Sequence, residues 1–204
     1  MNSTTDTAQP TNSHDHPTLI LIRGVPGSGK TYFAAALQQA MGKDRVVLLD
    51  PDSTDYTSRE YLDLSKSLTE QGVDAKFHPY RYVRGKAHAA IEAHKILVWN
   101  QPFTNLDGFN KTVINLQNHA TEHGTHLPLL VVEVEIDPAT AKQRVTERKA
   151  QGGHGPSDTT FERFMNDYRS FSGEGYNTVV IHGKDDTAKS VATVQKALAQ
   201  LWAA

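Results

Sequence analysis

The sequence predicts a three-layer α/β fold, in which a five-stranded parallel sheet carries helices on both faces. Three observations favour this class. Apolar or β-branched runs alternate with helical patterns from residue 18 onward. A glycine-rich loop joins the first of these runs to a helix. Polar and acidic residues follow the runs at 45–49 and 95–99, and ligands of parallel sheets bind at the ends of such strands.

The individual elements follow from the residue patterns. Five apolar or β-branched runs predict strands at residues 18–23, 45–49, 95–99, 129–136 and 178–182. Helical periodicity predicts helices at residues 30–41, 57–69, 81–94, 107–122, 138–149, 158–171 and 187–202. Asp137, followed by Pro138, and Asp158 are expected to cap two of these helices. Regular alternation favours parallel pairing, because each crossover helix then covers one face of the sheet.

The chain is expected to form one domain. Residues 1–17 are polar with almost nothing to bury, and they predict a disordered tail. Residues 18–204 suit a single α/β domain, and a hydrophobic content of 38% is sufficient for one core. No internal repeat or second domain is evident.

Composition narrows the class of protein. The sequence has no cysteine, which excludes disulfides and thiolate metal sites. No apolar stretch approaches the roughly 20 residues of a membrane span, and no signal-peptide pattern opens the chain, so we expect a cytoplasmic protein without a membrane partner. A net charge of −2 gives long nucleic acid no overall attraction, although a local basic groove would remain compatible with it.

The strongest single motif is a phosphate-binding loop. Residues 24–31 read Gly-Val-Pro-Gly-Ser-Gly-Lys-Thr, between a predicted strand and a predicted helix. A chance match in a chain of this length is roughly a one per cent event. The residues of this loop that would contact a nucleotide are Gly24, Gly27, Ser28, Gly29, Lys30 and Thr31. Backbone amides would cradle phosphates, the ammonium would reach the β- and γ-phosphates, and the hydroxyl would ligate Mg²⁺. The sequence therefore predicts binding of ATP or GTP with Mg²⁺, on a P-loop fold.

A second motif follows the second predicted strand. Pro51 ends that strand in Asp50-Pro51-Asp52, which puts the side chain of Asp52 at the carboxyl edge of the sheet. A carboxylate near the phosphate loop can accept the proton of an attacking hydroxyl. A plain turn aspartate is the alternative. We interpret Asp52 as a catalytic base with a further contact to Mg²⁺.

A third motif predicts a lid around residues 144–158. Arg144 and Arg148 are four residues apart and share one helix face, and the glycines at 152, 153 and 155 then release the chain. Arginines on a closing lid stabilise the charge that phosphoryl transfer spreads over the γ-oxygens. The alternative is a solvated basic helix face.

Together these motifs resemble a known family. The loop at 24–31, Asp-Pro-Asp at 50–52 and Arg-Lys-x-x-Gly-Gly-His-x-Pro at 148–156 are similar to the zeta-toxin-like group of P-loop kinases. That group is related to polynucleotide 5′-kinases and to chloramphenicol phosphotransferase. The resemblance implies ATP and Mg²⁺ as cofactors, Asp52 as base, Lys30 and Thr31 at the phosphates, and Arg144 or Arg148 as lid arginines. It also admits an antitoxin protein as a partner.

One feature departs from this family. Asn100 ends the third predicted strand, where many P-loop proteins carry an acidic residue. The polar segment 100–105 suggests an acceptor other than the UDP-N-acetylhexosamine that zeta toxins phosphorylate, or it is a loop tip with turn residues. The acceptor of the toxins is therefore not carried over.

A short histidine motif is set aside at this point. His119-Ala-Thr-Glu-His123 matches an inverted zinc-peptidase pattern. Gly124 ends the helix immediately, so we interpret the motif as a solvated helix end rather than a zinc site.

Three functions remain open from the sequence. The preferred one is a kinase that transfers the γ-phosphate of ATP to a hydroxyl of a small molecule or nucleotide. A polynucleotide 5′-hydroxyl kinase would need a basic groove, for which Arg81, Arg84, Lys86 and Lys95 are the local candidates. A nucleotide-dependent switch would lack an acceptor, and its usual guanine-reading Asn-Lys-x-Asp motif is absent from the sequence.

Overall fold

Five parallel strands form one sheet in the computed structural model, which describes residues 16–203. The strands are β1 (Thr18–Arg23), β2 (Val46–Leu49), β3 (Ile96–Asn100), β4 (Leu129–Glu135) and β5 (Thr178–His182), in the order β2-β3-β1-β4-β5. Strand β1 is central and pairs with β3 on one side and with β4 on the other. The predicted sheet is confirmed. Of the predicted disordered tail, residues 1–15 lie outside the described residues.

Seven α-helices surround the sheet within residues 16–203. They are α1 (Lys30–Met41), α2 (Arg59–Glu70), α3 (His78–Glu92), α4 (Leu106–Glu122), α5 (Pro138–Ala150), α6 (Asp158–Asp167) and α7 (Thr187–Trp202). Helices α1 and α7 pack on one face of the sheet, and α3 and α4 pack on the other. The three-layer class that the sequence predicts is therefore confirmed. No helix among the described residues has both the length and the apolar character that crossing a bilayer requires.

The central strands are apolar because helices cover both faces of the sheet. In β1, Leu19 and Leu21 contact the α3–α4 side, whereas Ile20 and Ile22 contact the α1–α7 side. All four side chains are fully buried. Burial of one such side chain stabilises the fold by about 1.5–3 kcal/mol. Both layers of helices are thus held by the same central strand, and that strand leads directly into the glycine-rich loop.

The predicted N-cap and the predicted end of α6 are wrong, whereas its predicted start at residue 158 is confirmed. Ser157, not Asp158, is the N-cap, and its Oγ accepts a hydrogen bond from the backbone N–H of Thr160 at 3.2 Å. The helix ends at Asp167 instead of residue 171. The segment 168–171 leaves the helix because a buried ion pair, described below, holds its backbone.

Two other boundaries bear on the site. Helix α3 begins at His78, three residues before its predicted start, with Pro79 in the first turn where proline is tolerated. The predicted N-cap Asp137 is confirmed, since its carboxylate accepts from the N–H of Thr140 at 2.9 Å. These starts direct α3 and α5 away from the carboxyl edge of the sheet.

Candidate functional site

At two positions, the glycine-rich loop between β1 and α1 can accommodate only glycine. Gly27 has φ +85°, and a Cβ there would overlap the backbone of Ala141. A Cβ on Gly24 would lie 2.6 Å from the carbonyl oxygen of Val134. The Ser28 hydroxyl is buried and has no hydrogen-bond partner within residues 16–203. A tight loop at a helix N-terminus with an unpaired buried hydroxyl fits a phosphate ligand.

Lys30 begins α1 and is half-buried beneath this loop. Its ammonium donates to the carbonyl of Val25 at 3.0 Å. Burial lowers the pKa of Lys30 to about 8, and the nearby Arg148 acts in the same direction, while Asp50 and Asp52 oppose them. Desolvation therefore destabilises the protonated form of Lys30, and a neighbouring anion such as a phosphate would stabilise that form again.

Three side chains from three elements meet beside Lys30. The Asn100 amide nitrogen donates to Thr31 Oγ1 at 2.9 Å and to Asp50 Oδ2 at 2.7 Å. Asn100 is buried, and its Oδ1 has no hydrogen-bond partner within the described part of the chain. The asparagine at the end of β3 thus fixes a hydroxyl and a carboxylate side by side.

Sequence reasoning overlooked Asp50 in this arrangement. The signal was available, because Asp50 directly follows β2 and β2 is the neighbour of β3 in the sheet. A carboxylate that follows the adjacent strand therefore lies beside the end of β3, where the sequence itself has asparagine.

Asp52 lies two residues further along, in a short 3₁₀ turn of residues 51–53. Its backbone N–H donates to Asp50 Oδ1 at 2.9 Å, which fixes the turn. Partial desolvation and the negative charge of Asp50 raise the pKa of Asp52, against the opposing charges of Lys30, Arg148 and His154. The structure brings Asp52 into the electrostatic field of Lys30, as its predicted position at the sheet edge requires.

The two predicted lid arginines occupy different environments. Arg144 is half-buried and donates to the carbonyls of Gly27 at 3.4 Å and Gly183 at 3.0 Å, so it links the glycine-rich loop to the turn after β5. Arg148 is exposed at the end of α5, where its carbonyl accepts from the N–H of Gly153 at 2.9 Å. Both lie on one helix face, but Arg144 is anchored by hydrogen bonds, whereas the charge of Arg148 acts to lower the pKa of Lys30 and of Asp52.

A cavity of about 450 Å³ opens beside Thr31 and Asp50. The β2–α2 connection and α3 supply most of its wall. Its polar and charged lining residues are Thr31, Asp50, Ser53, Thr54, Asp55, Ser58, Glu60, Tyr82, Lys86 and Asn100. Tyr82 donates to Glu60 Oε2 at 2.8 Å, which orders one side of the wall. The cavity presents hydrogen-bond donors, acceptors and charges of both signs, and Asp52 lies in the chain between two of its lining residues, Asp50 and Ser53.

Other residues of the polar segment 100–105 form hydrogen bonds within the segment or cap the next helix. Gln101 accepts from Trp99 Nε1 at 3.1 Å, and Asn105 caps α4 by accepting from the N–H of Gly108 at 3.1 Å. Phe103 is buried with φ +45°, in the left-handed region that non-glycine residues rarely adopt. Of this segment, only Asn100 lines the cavity, which favours the loop-tip alternative over an acceptor edge.

A fully buried ion pair, which the sequence did not reveal, lies behind the site. Arg23, the last residue of β1, pairs with Glu133 of β4, and both side chains have no exposed surface. Arg23 also donates to the carbonyls of Phe103 at 3.0 Å and Arg169 at 2.7 Å, and its guanidinium lies over the ring of Phe171 at 3.5 Å. This network anchors two loops against the strand that carries the phosphate loop.

The Glu133 carboxylate of this pair is also hydrogen-bonded through both of its oxygens. Glu133 accepts from the Ser170 hydroxyl at 2.5 Å and from the N–H of Phe171 at 2.7 Å. These bonds explain why α6 ends at Asp167. A sequence signal existed, because Arg23 ends one apolar strand and Glu133 interrupts another, and a charge buried in such a strand needs a partner of opposite sign.

The sheet order, the loop at residues 24–31 and the α1 N-terminus define the class of P-loop kinase folds. The profile of the zeta toxin family matches residues 2–198, and the chain belongs to this family. No curated protein sequence matches the chain.

Solved structures with the same fold include several kinases. A candidate kinase from Chloroflexus aurantiacus is 18% identical, with a TM-score of 0.62, and the match covers 92% of this chain and 99% of that one. The PezAT toxin–antitoxin structure from Streptococcus pneumoniae is 15% identical, with a TM-score of 0.57 over 95% and 91% of the two chains. Deoxyadenosine kinase from M. mycoides, solved with bound dATP, is 16% identical, with a TM-score of 0.52 over 88% and 98%. At these identities the matches establish the fold.

Proposed function

We propose that this protein is an ATP-dependent kinase that transfers the γ-phosphate to a hydroxyl of a small molecule or a nucleotide, including nucleotide-sugars. The observation that carries the proposal is a polar cavity of about 450 Å³ that is lined by Thr31 of the phosphate loop and by Asp50 and Ser53, which flank Pro51 and Asp52 in the chain. A nucleotide switch needs a phosphate loop, but it does not need a cavity for a second substrate. Membership of the zeta toxin family supports the same choice.

The phosphate side of the reaction would rest on the loop and α1. Backbone amides of residues 24–31 and the Lys30 ammonium would bind the β- and γ-phosphates. Mg²⁺ prefers hard oxygen ligands, and Thr31 Oγ1 and the Asp50 carboxylate are held side by side by Asn100. When bound, Mg²⁺ would neutralise charge that develops between the β- and γ-phosphates. We therefore assign the metal to Thr31 and Asp50, and this assignment replaces the metal contact that the sequence suggested for Asp52.

Asp52 would act as the general base. The acceptor oxygen forms its bond to the γ-phosphorus, the bond from that phosphorus to the bridging oxygen breaks, and ADP leaves. The hydroxyl proton passes to the Asp52 carboxylate. The raised pKa of Asp52 suits this task, because a base is more effective when its pKa approaches the working pH.

The arginines would stabilise the transferring group in two ways. Arg144 supports the phosphate loop from behind through the Gly27 carbonyl. Arg148 would approach the γ-oxygens when the segment 151–157 closes, since its charge already acts on Lys30 and Asp52. These two roles can be tested by substituting Arg144 and Arg148 separately.

The cavity limits the class of acceptor. A volume of about 450 Å³ lies within the range of pockets that hold small ligands and is suited to a nucleoside or a sugar more than to a duplex. Its lining carries carboxylates, hydroxyls and one lysine, which suits a hydroxyl-rich molecule. Family membership further supports an antitoxin protein as a partner that would restrain such an activity.

The direct test is transfer from labelled ATP to a panel of UDP-sugars, nucleosides, aminoglycosides and 5′-hydroxyl oligonucleotides. We expect label to appear on one of the small-molecule classes. Lys30→Ala is the control, and it should lower transfer by about 10²–10³-fold while the melting temperature changes little, because the side chain acts on phosphate charge. Labelling of oligonucleotides alone would instead favour a polynucleotide kinase. ATP hydrolysis without any labelled acceptor would contradict the proposal.

A further inference from the structure

A cluster of histidines lies between α3 and α4, away from the phosphate loop. Both helices end at the amino edge of the sheet, because each is followed by the next parallel strand, whereas the phosphate loop lies at the carboxyl edge. The cluster comprises His88 and Glu92 from α3, His119 from α4 and His123, the residue that follows α4 as its C-cap. None of these side chains belongs to the site proposed for phosphoryl transfer.

Two imidazole nitrogens converge on one carboxylate oxygen in this cluster. His119 Nε2 lies 3.0 Å from Glu92 Oε1, and His123 Nε2 lies 3.7 Å from the same oxygen. The three ligand atoms all lie within 4.8 Å of one another. Bonds of about 2.0–2.1 Å around a tetrahedral ion place neighbouring ligand atoms roughly 3.3 Å apart. The two measured Nε2–Oε1 distances, 3.0 and 3.7 Å, are close to this value, and small rotations of the half-exposed Glu92 and His123 side chains can remove the differences.

The hydrogen bonds around the cluster prepare the rings for coordination. His123 Nδ1 lies 2.8 Å from the backbone carbonyl of His119, so this nitrogen must carry the proton and donate. Its Nε2 therefore has the lone pair, and this carbonyl–imidazole arrangement is typical of metal-binding histidines. The ring of His119 stacks on that of His88, with centroids 3.8 Å apart and planes 6° apart, which fixes its orientation.

We propose that Glu92, His119 and His123 form a binding site for a zinc-type divalent cation that joins α3 to α4. Two imidazoles and one carboxylate suit zinc and its first-row neighbours better than Mg²⁺ or Ca²⁺. The side chains of Glu92 and His123 are about half exposed, so the ion would keep a solvent-accessible coordination position. The short motif around His119 and His123 thus acquires its third ligand from a different helix, and the acid within that motif, Glu122, is not part of the site.

The bound cation would stabilise the helix pair without taking part in phosphoryl transfer. A ligand that binds only the folded state raises its stability in proportion to the logarithm of its concentration over the dissociation constant. Zinc should therefore raise the melting temperature, and the increase should depend on the three proposed ligands.

The experiment measures Zn²⁺ binding to the untagged full chain by equilibrium dialysis and calorimetry, together with thermal unfolding. We expect about one Zn²⁺ per chain, and a fall of at least about 10-fold in affinity for Glu92→Gln and for His123→Ala. Glu122→Gln is the matched control, since it removes an exposed acid one residue from His123, and it should bind like the native chain. A substitution can itself lower stability. The melting temperature of each variant with Zn²⁺ is therefore compared with that of the same variant in the presence of a chelator.

Two results would overturn the site. The first is equal zinc uptake by the native chain and by a His119→Ala/His123→Ala double variant, because binding would then involve other histidines. The second is a loss of binding in Glu122→Gln with Glu92→Gln unaffected, because the ligands would then follow the sequence motif and not the helix pair.

Discussion

Two pairs of opposite charge lie close to the phosphate loop, and their environments differ completely. Arg23 and Glu133 have no exposed surface, and their polar groups bond to each other and to loop backbone. Asp52 and Arg148 are exposed, and within residues 16–203 the structure shows no salt bridge between them. The first pair belongs to central strands, and the second belongs to a turn and a helix end.

The comparison shows how burial and hydrogen bonding assign different roles to the same chemistry. A buried charge must be matched by partners in the folded chain, and once matched it is fixed in place. An exposed charge keeps its capacity to interact, so it can respond to phosphate or to a proton. The buried pair thus holds the loops that shape the site, while the exposed pair is left to act on a ligand.

The largest expected effect concerns the exposed carboxylate. Asp52→Asn should lower phosphoryl transfer by about 10²–10⁴-fold, the usual contribution of a positioned proton acceptor. ATP affinity should remain nearly unchanged, because the phosphate loop, Lys30 and Thr31 are untouched. A transfer assay beside calorimetry of ATP binding measures both quantities.

Asp44→Asn is the control for that experiment. Asp44 precedes β2 and lies at the opposite edge of the sheet, so its loss should affect neither quantity. A parallel loss of affinity and transfer in Asp52→Asn would contradict the base assignment and favour a metal role.

The buried pair should respond in stability. Arg23→Met leaves Glu133 charged and buried, which should lower the free energy of unfolding by about 3–5 kcal/mol. Adding Glu133→Leu should restore much of that loss, because no buried charge then remains unmatched. Denaturant unfolding of the single and double variants measures the effect.

Lys184→Met serves as the exposed counterpart for this prediction. Lys184 pairs with Asp137 at 2.6 Å, but both side chains are about half exposed, and such pairs contribute little. The contrast between the two pairs would disappear if Arg23→Met were no more destabilising than Lys184→Met.

The two arginines of α5 should separate anchoring from catalysis. Arg148→Ala should lower turnover by up to about 10²-fold with little change in ATP affinity, since this residue acts in the closed state. Arg144→Ala should have the smaller effect on turnover and should also weaken ATP binding, because it supports the Gly27 carbonyl. Steady-state kinetics and calorimetry distinguish these patterns. If both variants keep full turnover, the lid assignment is wrong.

The smallest expected effect is a pH dependence of nucleotide affinity. The protonated ammonium of Lys30 binds phosphate, and its pKa in the nucleotide-free protein is about 8. Below this pH the ammonium is already charged, so affinity should be constant. Above it, binding must take up a proton, and affinity should fall by up to about 10-fold per pH unit.

Lys30→Arg is the control for the pH experiment, because a guanidinium stays charged throughout this range. Calorimetry from about pH 7 to pH 9 should give a flat profile for this variant. The same slope in both proteins would assign the pH dependence to another group.

Particular residues show how far the sequence could be interpreted. The phosphate loop was predictable because its glycines are imposed by local geometry, as Gly24 and Gly27 demonstrate. The strands were predictable because central strands buried on both faces must be apolar throughout. The predicted end of α6 was wrong because two hydrogen bonds, one donated by Arg23 and one accepted by Glu133, hold the following segment and outweigh local helix propensity.

The site could be predicted only in part for the same reason. Asp52 follows from its position after β2, but the link from Asp50 through Asn100 to Thr31 joins three segments that are far apart along the chain. The histidine motif at 119–123 was visible, whereas its partner Glu92 belongs to another helix. Environment is also hidden in the sequence, since nothing local distinguishes the anchored Arg144 from the exposed Arg148.

The sequence by itself determined the α/β class, the phosphate loop and the order of the main elements, because these depend on short-range periodicity and on steric limits of the backbone. The tertiary structure decided which charges are buried together, which carboxylate stands beside Thr31, and which arginine remains available to a ligand. Those outcomes depend on strand order and on desolvation. Both arise only when residues distant in the chain are brought into contact.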